Sequence, residues 1–200
     1  TVTAWGDNTY GQTNVAAGLT TAVAIAQGGH HSLALNVDRT VVAWGLNTNP
    51  FTQTYVGQAP PPPGLSNVVS VAAGTVSSLS LMLDGTIVVW GDSGQTNPPA
   101  GLANVVAIAA GDSFSLALKN DGTVVAWGGN TYGQTNVPMG LGGVVGIAAG
   151  GTDAVAIRTN GTVMVWGWNG YNQTNVPASA TNVVAVAAGD YHGLALKADG

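Results

Sequence analysis

The chain is 200 residues long and carries nine Asp, no Glu, two Lys, two Arg and no Cys, for a net charge of −5. Nucleic-acid affinity comes mainly from Lys and Arg displacing counterions, and four scattered cations form no patch, so DNA and RNA are excluded as partners. Thiol chemistry is absent, and no apolar run approaches the roughly 18 residues that cross a bilayer, so membrane insertion is excluded as well.

In chain order, the first residues TVTAWG read as a short strand ending in Trp5-Gly6, and a loop DNTYGQ follows it. An extended segment beginning at Gln12 leads to an apolar, Val-rich run at Ala22–Ala26, which predicts a buried strand. A short turn then gives SLALN, whose apolar residues alternate with small ones. Period two predicts a strand with two different faces. The run VVAWG, with Trp44, reads as a third strand after the turn VDR.

The same pieces return down the chain. Trp-Gly pairs stand at Trp5, Trp44, Trp90, Trp127 and Trp166, with steps of 39, 46, 37 and 39 residues. Counting from Trp166 off the end and back in at Thr1 gives 39 again. The glycines closing AAG and its kin (Gly28, Gly74, Gly111, Gly150, Gly189) keep the same steps. A period near 40 residues is the mark of propellers, solenoids and arrays, and a phase kept across the termini points to a ring.

The expected architecture is an all-β propeller of five lean blades, three- to four-stranded, as a single domain over 1–200. The blades span about 22–45, 68–91, 105–128, 144–167, and 183–200 completed by 1–6. Leu194–Leu196 is expected to pair with Val2–Trp5 and close the ring. Asp-Gly or Asn-Gly between the second and third strands is a strong hairpin signal in which both residues would need positive φ. Arg39 replaces the glycine in the first repeat, so a different turn is expected there. The extended QTNVP-like segments are placed at Gln12, Gln53, Gln95, Gln134 and Gln173, and QAPPPPG (Gln58–Gly64) reads as an inserted polyproline II excursion.

The ordered marks VVAWG, NTYGQTNVP, NVVAIAAG, HSLALK and DGT resemble the repeat of the regulator-of-chromosome-condensation propellers. In repeat style the chain is most similar to the propeller-type β-lactamase inhibitory proteins of actinomycetes. The resemblance implies a β-propeller and covers all five repeats; both relatives have seven blades. It also implies a protein-binding face just after the AAG glycine. The matching positions include His30 and Tyr191, followed by His31, Phe114, Asp153 and His192. Chromatin-binding and GTPase-exchange members use basic surfaces, which this acidic chain does not match.

Other features are weighed on their own chemistry. Trp5, Trp44, Trp90, Trp127 and Trp166 are read as blade-packing core. His31 and His192 occupy one repeat position, but no third ligand recurs, so no metal site is expected. No catalytic residues are assigned and no cofactor is expected. The loops after WG repeat an Asn-Tyr pair: Asn8 with Tyr10, Asn130 with Tyr132, and Asn169 with Tyr171, the last preceded by Trp168. Ring plus amide is how many lectins hold sugars.

The functional expectation is a non-enzymatic binding or display module recognising a protein through loops on one propeller face. The alternatives are a multivalent carbohydrate binder and a structural repeat or designed scaffold without ligand. Low charge with abundant Thr, Asn, Gly and Ala suggests a secreted or cell-surface protein of bacterial type, read as a mature or excised chain.

Overall fold

The computed structural model describes residues 1–200, and every regular element in it is a strand. Five antiparallel sheets follow one another: β1 (Ala22–Gln27), β2 (His31–Asn36) and β3 (Val41–Gly45); β4 (Val68–Ala73), β5 (Ser77–Met82) and β6 (Ile87–Gly91); β7 (Val105–Ala110), β8 (Phe114–Lys119) and β9 (Val124–Gly128). The fourth comprises β10 (Val144–Ala149), β11 (Asp153–Arg158) and β12 (Val163–Gly167), and the fifth has only β13 (Val183–Ala188) and β14 (Gly193–Lys197). The all-β propeller architecture is thus present, built from lean meanders.

Each first hairpin carries a bulge at its start, between Val105 and Ala107 in the third sheet and at the matching places elsewhere. The extra residue turns outward, so Val23, Val69, Val106, Val145 and Val184 are exposed although they lie in the most apolar runs. The second turn departs from expectation. Only its second residue is left-handed: Gly85, Gly122 and Gly161 have φ of 78°, 78° and 72°. The preceding Asp, or Asn160 before Gly161, accepts from the Thr that follows the glycine, as Asp121 does from the Thr123 N–H and hydroxyl. Arg39 adopts the same conformation at φ 66° and donates its N–H to Asn36 O as Gly122 does to Lys119 O, so the first repeat keeps the common turn.

The cores lie between successive sheets. Leu33, Leu35, Val41, Val68 and Trp90 fill the first seam; Leu79, Leu81, Val105, Ala117 and Trp127 the second; and Phe114, Leu116, Leu118, Val144 and Trp166 the third. The indole N–H of Trp44, Trp127 and Trp166 donates to the carbonyl of Gln12, Gln95 and Gln134 at 2.9–3.0 Å. These tryptophans therefore join area burial to a fixed hydrogen bond, as their core assignment requires. Trp90 is buried without a partner for its N–H.

This pattern relocates the insertion. Gln58 O accepts the Ser78 hydroxyl as Gln12 O accepts that of Ser32, and Leu65 N bonds Pro62 O as Leu141 N bonds Pro138 O. Gln58, not Gln53, is the repeat's glutamine, and the four prolines are its regular crossing segment. The extra residues lie before it: Trp44 precedes Gln58 by 14 positions, whereas Trp127 precedes Gln134 by 7. They form a small hairpin bridged at Thr48 and Tyr55.

The terminal pairing is not formed. Val2–Trp5 is in no strand, β14 has no third-strand neighbour, and Trp5 is 86% exposed. Leu194 and Leu196 are 64% and 54% exposed, while their counterparts Leu116 and Leu118 are at 0% and 3%. Along the axis, a Cβ on Gly28, Gly74, Gly111 or Gly150 would meet the carbonyl oxygen of the next glycine in the series, but one on Gly189 would meet only the His192 ring. Backbone contact thus links each sheet to the next and stops after the fifth, leaving an arc whose end sheets are bare. Val2–Gly6 instead lies beside the first sheet, lining a cavity with Ile25, His31 and Trp44.

Candidate recognition face

The antiparallel register gives every blade two ends. Val105 pairs with Lys119 and Leu118 with Val124 at one end, the hairpin end. Ala110 pairs with Ser115 and Phe114 with Gly128 at the other, where the AAG turn and the segment after WG emerge together. The second is the loop end.

Charge divides sharply between them. Arg39, Lys119, Arg158 and Lys197 all stand at the hairpin end, with Asp38, Asp84, Asp121 and Asp199. Lys119 pairs with Asp121 at 3.0 Å and Lys197 with Asp199 at 3.5 Å. Asp7, Asp92, Asp112, Asp153 and Asp190 stand at the loop end with no cation among them, so the whole net charge of −5 resides there. All five tyrosines are also at the loop end, and all are exposed.

Aromatic residues from three adjoining loops converge. Trp168 lies with its ring centroid 6.0 Å from Tyr132, 5.1 Å from Tyr171 and 6.0 Å from Tyr191; Tyr171 and Tyr191 are 5.1 Å apart, edge to face. Two groups that the sequence suggests separately, the post-WG loops and the post-AAG position, thus form one patch. Rings this close pack on one another and enclose no cage for a ligand. Tyr10 stands apart, edge-on to His30 at 5.0 Å. The inserted hairpin adds Phe51 and Tyr55, 84% and 71% exposed, which the repeat pattern alone did not single out.

The Asn half of the Asn-Tyr pairs is committed to the loops. Asn130 Nδ2 donates to Asn136 Oδ1 and Asn130 Oδ1 accepts from Thr135 N; Asn8 and Asn169 repeat this with Asn14 and Thr13, and with Asn175 and Thr174. These amides shape the turn, and their hydrogen-bonding groups are already engaged.

The post-AAG positions divide as well. His30 and Tyr191, two residues after the glycine, reach the surface, and His192 is exposed at the bare end of the arc. His31, Phe114 and Asp153, three residues after it, are fully buried and belong to the seams, which corrects their placement on the face. Alternation along the strand turns this position toward the neighbouring sheet. His31 Nε2 lies 2.8 Å from Ser78 Oγ across the seam. No group of three or more His or Asp side chains is arranged to hold a metal ion.

Burial shifts both titratable members of this position. It lowers the His31 pKa to about 4, with some help from His30. It raises that of Asp153 to about 6, reinforced by repulsion from Asp190. Neither Asp153 oxygen has a hydrogen-bond partner. The two shifts act oppositely on stability. His31 binds its proton more readily unfolded, so its contribution is lost as pH falls from about 6.5 to about 4. Asp153 binds its proton more readily folded, so stability rises as pH falls through about 6 toward 4. Asp153→Asn should therefore stabilise the chain by about 2 kcal/mol at neutral pH and steepen its acid loss below pH ~6.5, measured by urea unfolding across pH.

An all-β arc of repeated lean sheets, with one acidic, aromatic end, defines a repeat-built propeller fold. Residues 22–49, 105–134 and 144–173 match the regulator of chromosome condensation (RCC1) repeat. The chain is an RCC1-like repeat propeller. Among solved structures, it is similar to Prp20p of Saccharomyces cerevisiae, described with its binding to Gsp1p and histones. The match has 25% identity and a TM-score of 0.72 over 88% of this chain and 55% of that one. The ectodomain of the Physcomitrella patens receptor kinase CR4 is similar at 26% identity and a TM-score of 0.73, over 97% and 52%. Human WBSCR16, at 22% identity and a TM-score of 0.71 over 89% and 60%, shares the fold. The chain thus spans little more than half the length of these proteins. No curated protein sequence matches it.

Proposed function

We propose that the chain is a non-enzymatic recognition module that binds a protein through its loop end. The observation that carries this reading is the aromatic patch in which exposed Tyr132, Tyr171 and Tyr191 surround half-buried Trp168, drawn from three loops onto one scaffold. Tyr and Trp are the residues most enriched in interface hot spots, because they supply large contact area at low entropic cost. Prp20p, with which the chain shares its fold, is a protein that binds other proteins. The engaged Asn amides remove half of the basis for a sugar-binding reading of the same loops.

The test is selection of phage-displayed peptides on the immobilised chain, followed by titration of the enriched sequences against variants. Trp168→Ala and Tyr191→Ala are each expected to weaken binding by tenfold or more, about 1.4 kcal/mol, while circular dichroism stays native. Peptides that bind both variants as tightly as the parent would refute the loop end as the recognition surface.

A further inference from the structure

We propose that the outer edge of β14 accepts Thr1–Gly6 of a second copy of this chain as its third strand, with Trp5 entering an open slot between the fourth and fifth sheets. This contact lies outside the loop end and is independent of recognition there.

The donor is a third strand without a sheet. Thr1–Gly6 reads TVTAWG and differs from the TVVAWG of 123–128 only at Thr3. Gly6 already has φ of 109°, within the 101–116° of Gly45, Gly91, Gly128 and Gly167, which end the four formed third strands. Yet no residue from Thr1 to Gly6 takes part in a backbone hydrogen bond, and the Trp5 ring is exposed. The segment has the shape of its counterparts and lacks their partner.

The acceptor has the matching parts. A cavity of about 440 Å³ beside β14 is lined by Val155, Val163, Val165, Ala180, Val186 and Ala195. By repeat position these are the counterparts of Leu79, Ile87, Val89, Leu102, Ile108 and Ala117, which pack in the second seam with Trp127. The same apolar walls are therefore present with no indole between them. The polar contact is prepared as well. Trp44, Trp127 and Trp166 donate to the carbonyls of Gln12, Gln95 and Gln134, and the next glutamine in that series is Gln173. Gln173 lines the cavity, its carbonyl accepts no hydrogen bond, and its buried Nε2 is also unpartnered.

The register follows from the third sheet, where Ser115 pairs with Trp127, Leu116 with Ala126 and Leu118 with Val124. Transferred to β14, it sets Trp5 opposite Gly193, Ala4 opposite Leu194 and Val2 opposite Leu196. Strand addition of this kind takes its affinity from the backbone ladder and its specificity from the side-chain pocket. The chain's own segment lies at the far end of the arc, beside Ile25, His31 and Trp44 of the first sheet, so the donor to β14 is another molecule. Donor and acceptor are different surfaces, which makes the contact heterologous, and exchange of an identical element is a low-cost route to it.

Sedimentation equilibrium of the full chain from about 1 µM to about 1 mM provides the test. At the low end the mass should be the 19.8 kDa of a single arc, and it should rise with concentration. Trp5→Ala removes the donor ring, and Ala195→Arg fills the slot from an exposed wall. Each variant alone should keep native circular dichroism and stay at the single-chain mass. Mixed, they should associate into pairs, because one retains the acceptor and the other the donor. A fluorescein-labelled peptide of residues 1–6 should bind Trp5→Ala at least tenfold more tightly than Ala195→Arg by fluorescence anisotropy. Association that survives in either single variant, or a mixture that stays at the single-chain mass, would overturn the proposal. So would a parent that remains a single chain at every concentration; a blue-shifted Trp5 emission in that case, read as the difference between parent and Trp5→Ala, would assign the slot to the chain's own segment. Peptide selection at the loop end is read separately and does not depend on these outcomes.

Discussion

Trp127→Ala is expected to destabilise the chain by about 3–5 kcal/mol, whereas Trp5→Ala, in the same motif, should change stability by no more than about 0.5 kcal/mol. Trp127 is 6% exposed in the seam with Leu79, Leu81 and Val105, and its indole N–H is bonded to Gln95 O. Truncation opens a cavity and leaves a buried carbonyl without its donor, two costs that add. Trp5 is 86% exposed, so its removal opens no cavity. Chemical unfolding of the two variants measures the contrast. Equal losses would mean that Trp5 is packed in solution as Trp127 is, and that the arc closes.

Gly150→Ala should cost about 3 kcal/mol or more, with loss of the folded state as its extreme. The new Cβ would collide with Gly189 O and stand 2.8 Å from Asp153 Oδ1 and 3.3 Å from Ala188 Cβ. Backbone and buried groups on both sides cannot move without parting the fourth and fifth sheets. Gly189→Ala occupies the same repeat position at the bare end, where the Cβ would meet only the His192 ring at 2.6 Å. That ring is exposed and free to rotate, so this substitution is expected to be tolerated. Soluble expression and thermal unfolding of the pair separate a steric demand at the seam from a general demand for glycine.

These two contrasts show which parts of the molecule the sequence makes legible. The WG and AAG marks place fourteen strands' worth of hairpins correctly, because period-two alternation and turn residues act locally. Ring closure is a different kind of statement. A repeat phase that survives the termini shows that Thr1–Gly6 has the sequence of a third strand, but the number of sheets needed to complete a circle depends on the angle between them. That angle is set by contacts such as Gly150 against Gly189 O, which no spacing encodes.

The candidate recognition face is legible in its parts and not in its assembly. Tyr132, Trp168, Tyr171 and Tyr191 are each visible as loop aromatics, yet their meeting depends on adjacent blades bringing separate loops together. His31, Phe114 and Asp153 lie in the seams and not on the face, because a one-residue step along a strand exchanges surface for seam. The position of the insertion is not legible, because four prolines stand out in the sequence more than the Gln58 hydrogen bonds that define the repeat. The charge division needed only the strand order: Asp in the second turn goes to the hairpin end, and Asp after AAG or WG to the loop end.

Hydrogen exchange with and without an enriched phage-selected peptide tests the central assignment most directly. Protection should gather in the segments after WG and AAG, near 129–134, 168–173 and 189–192, and leave the second turns near 120–123 and 159–162 unchanged. Protection confined to the hairpin end, or spread evenly over both ends, would contradict the assignment of the acidic, aromatic end as the surface this propeller uses to bind.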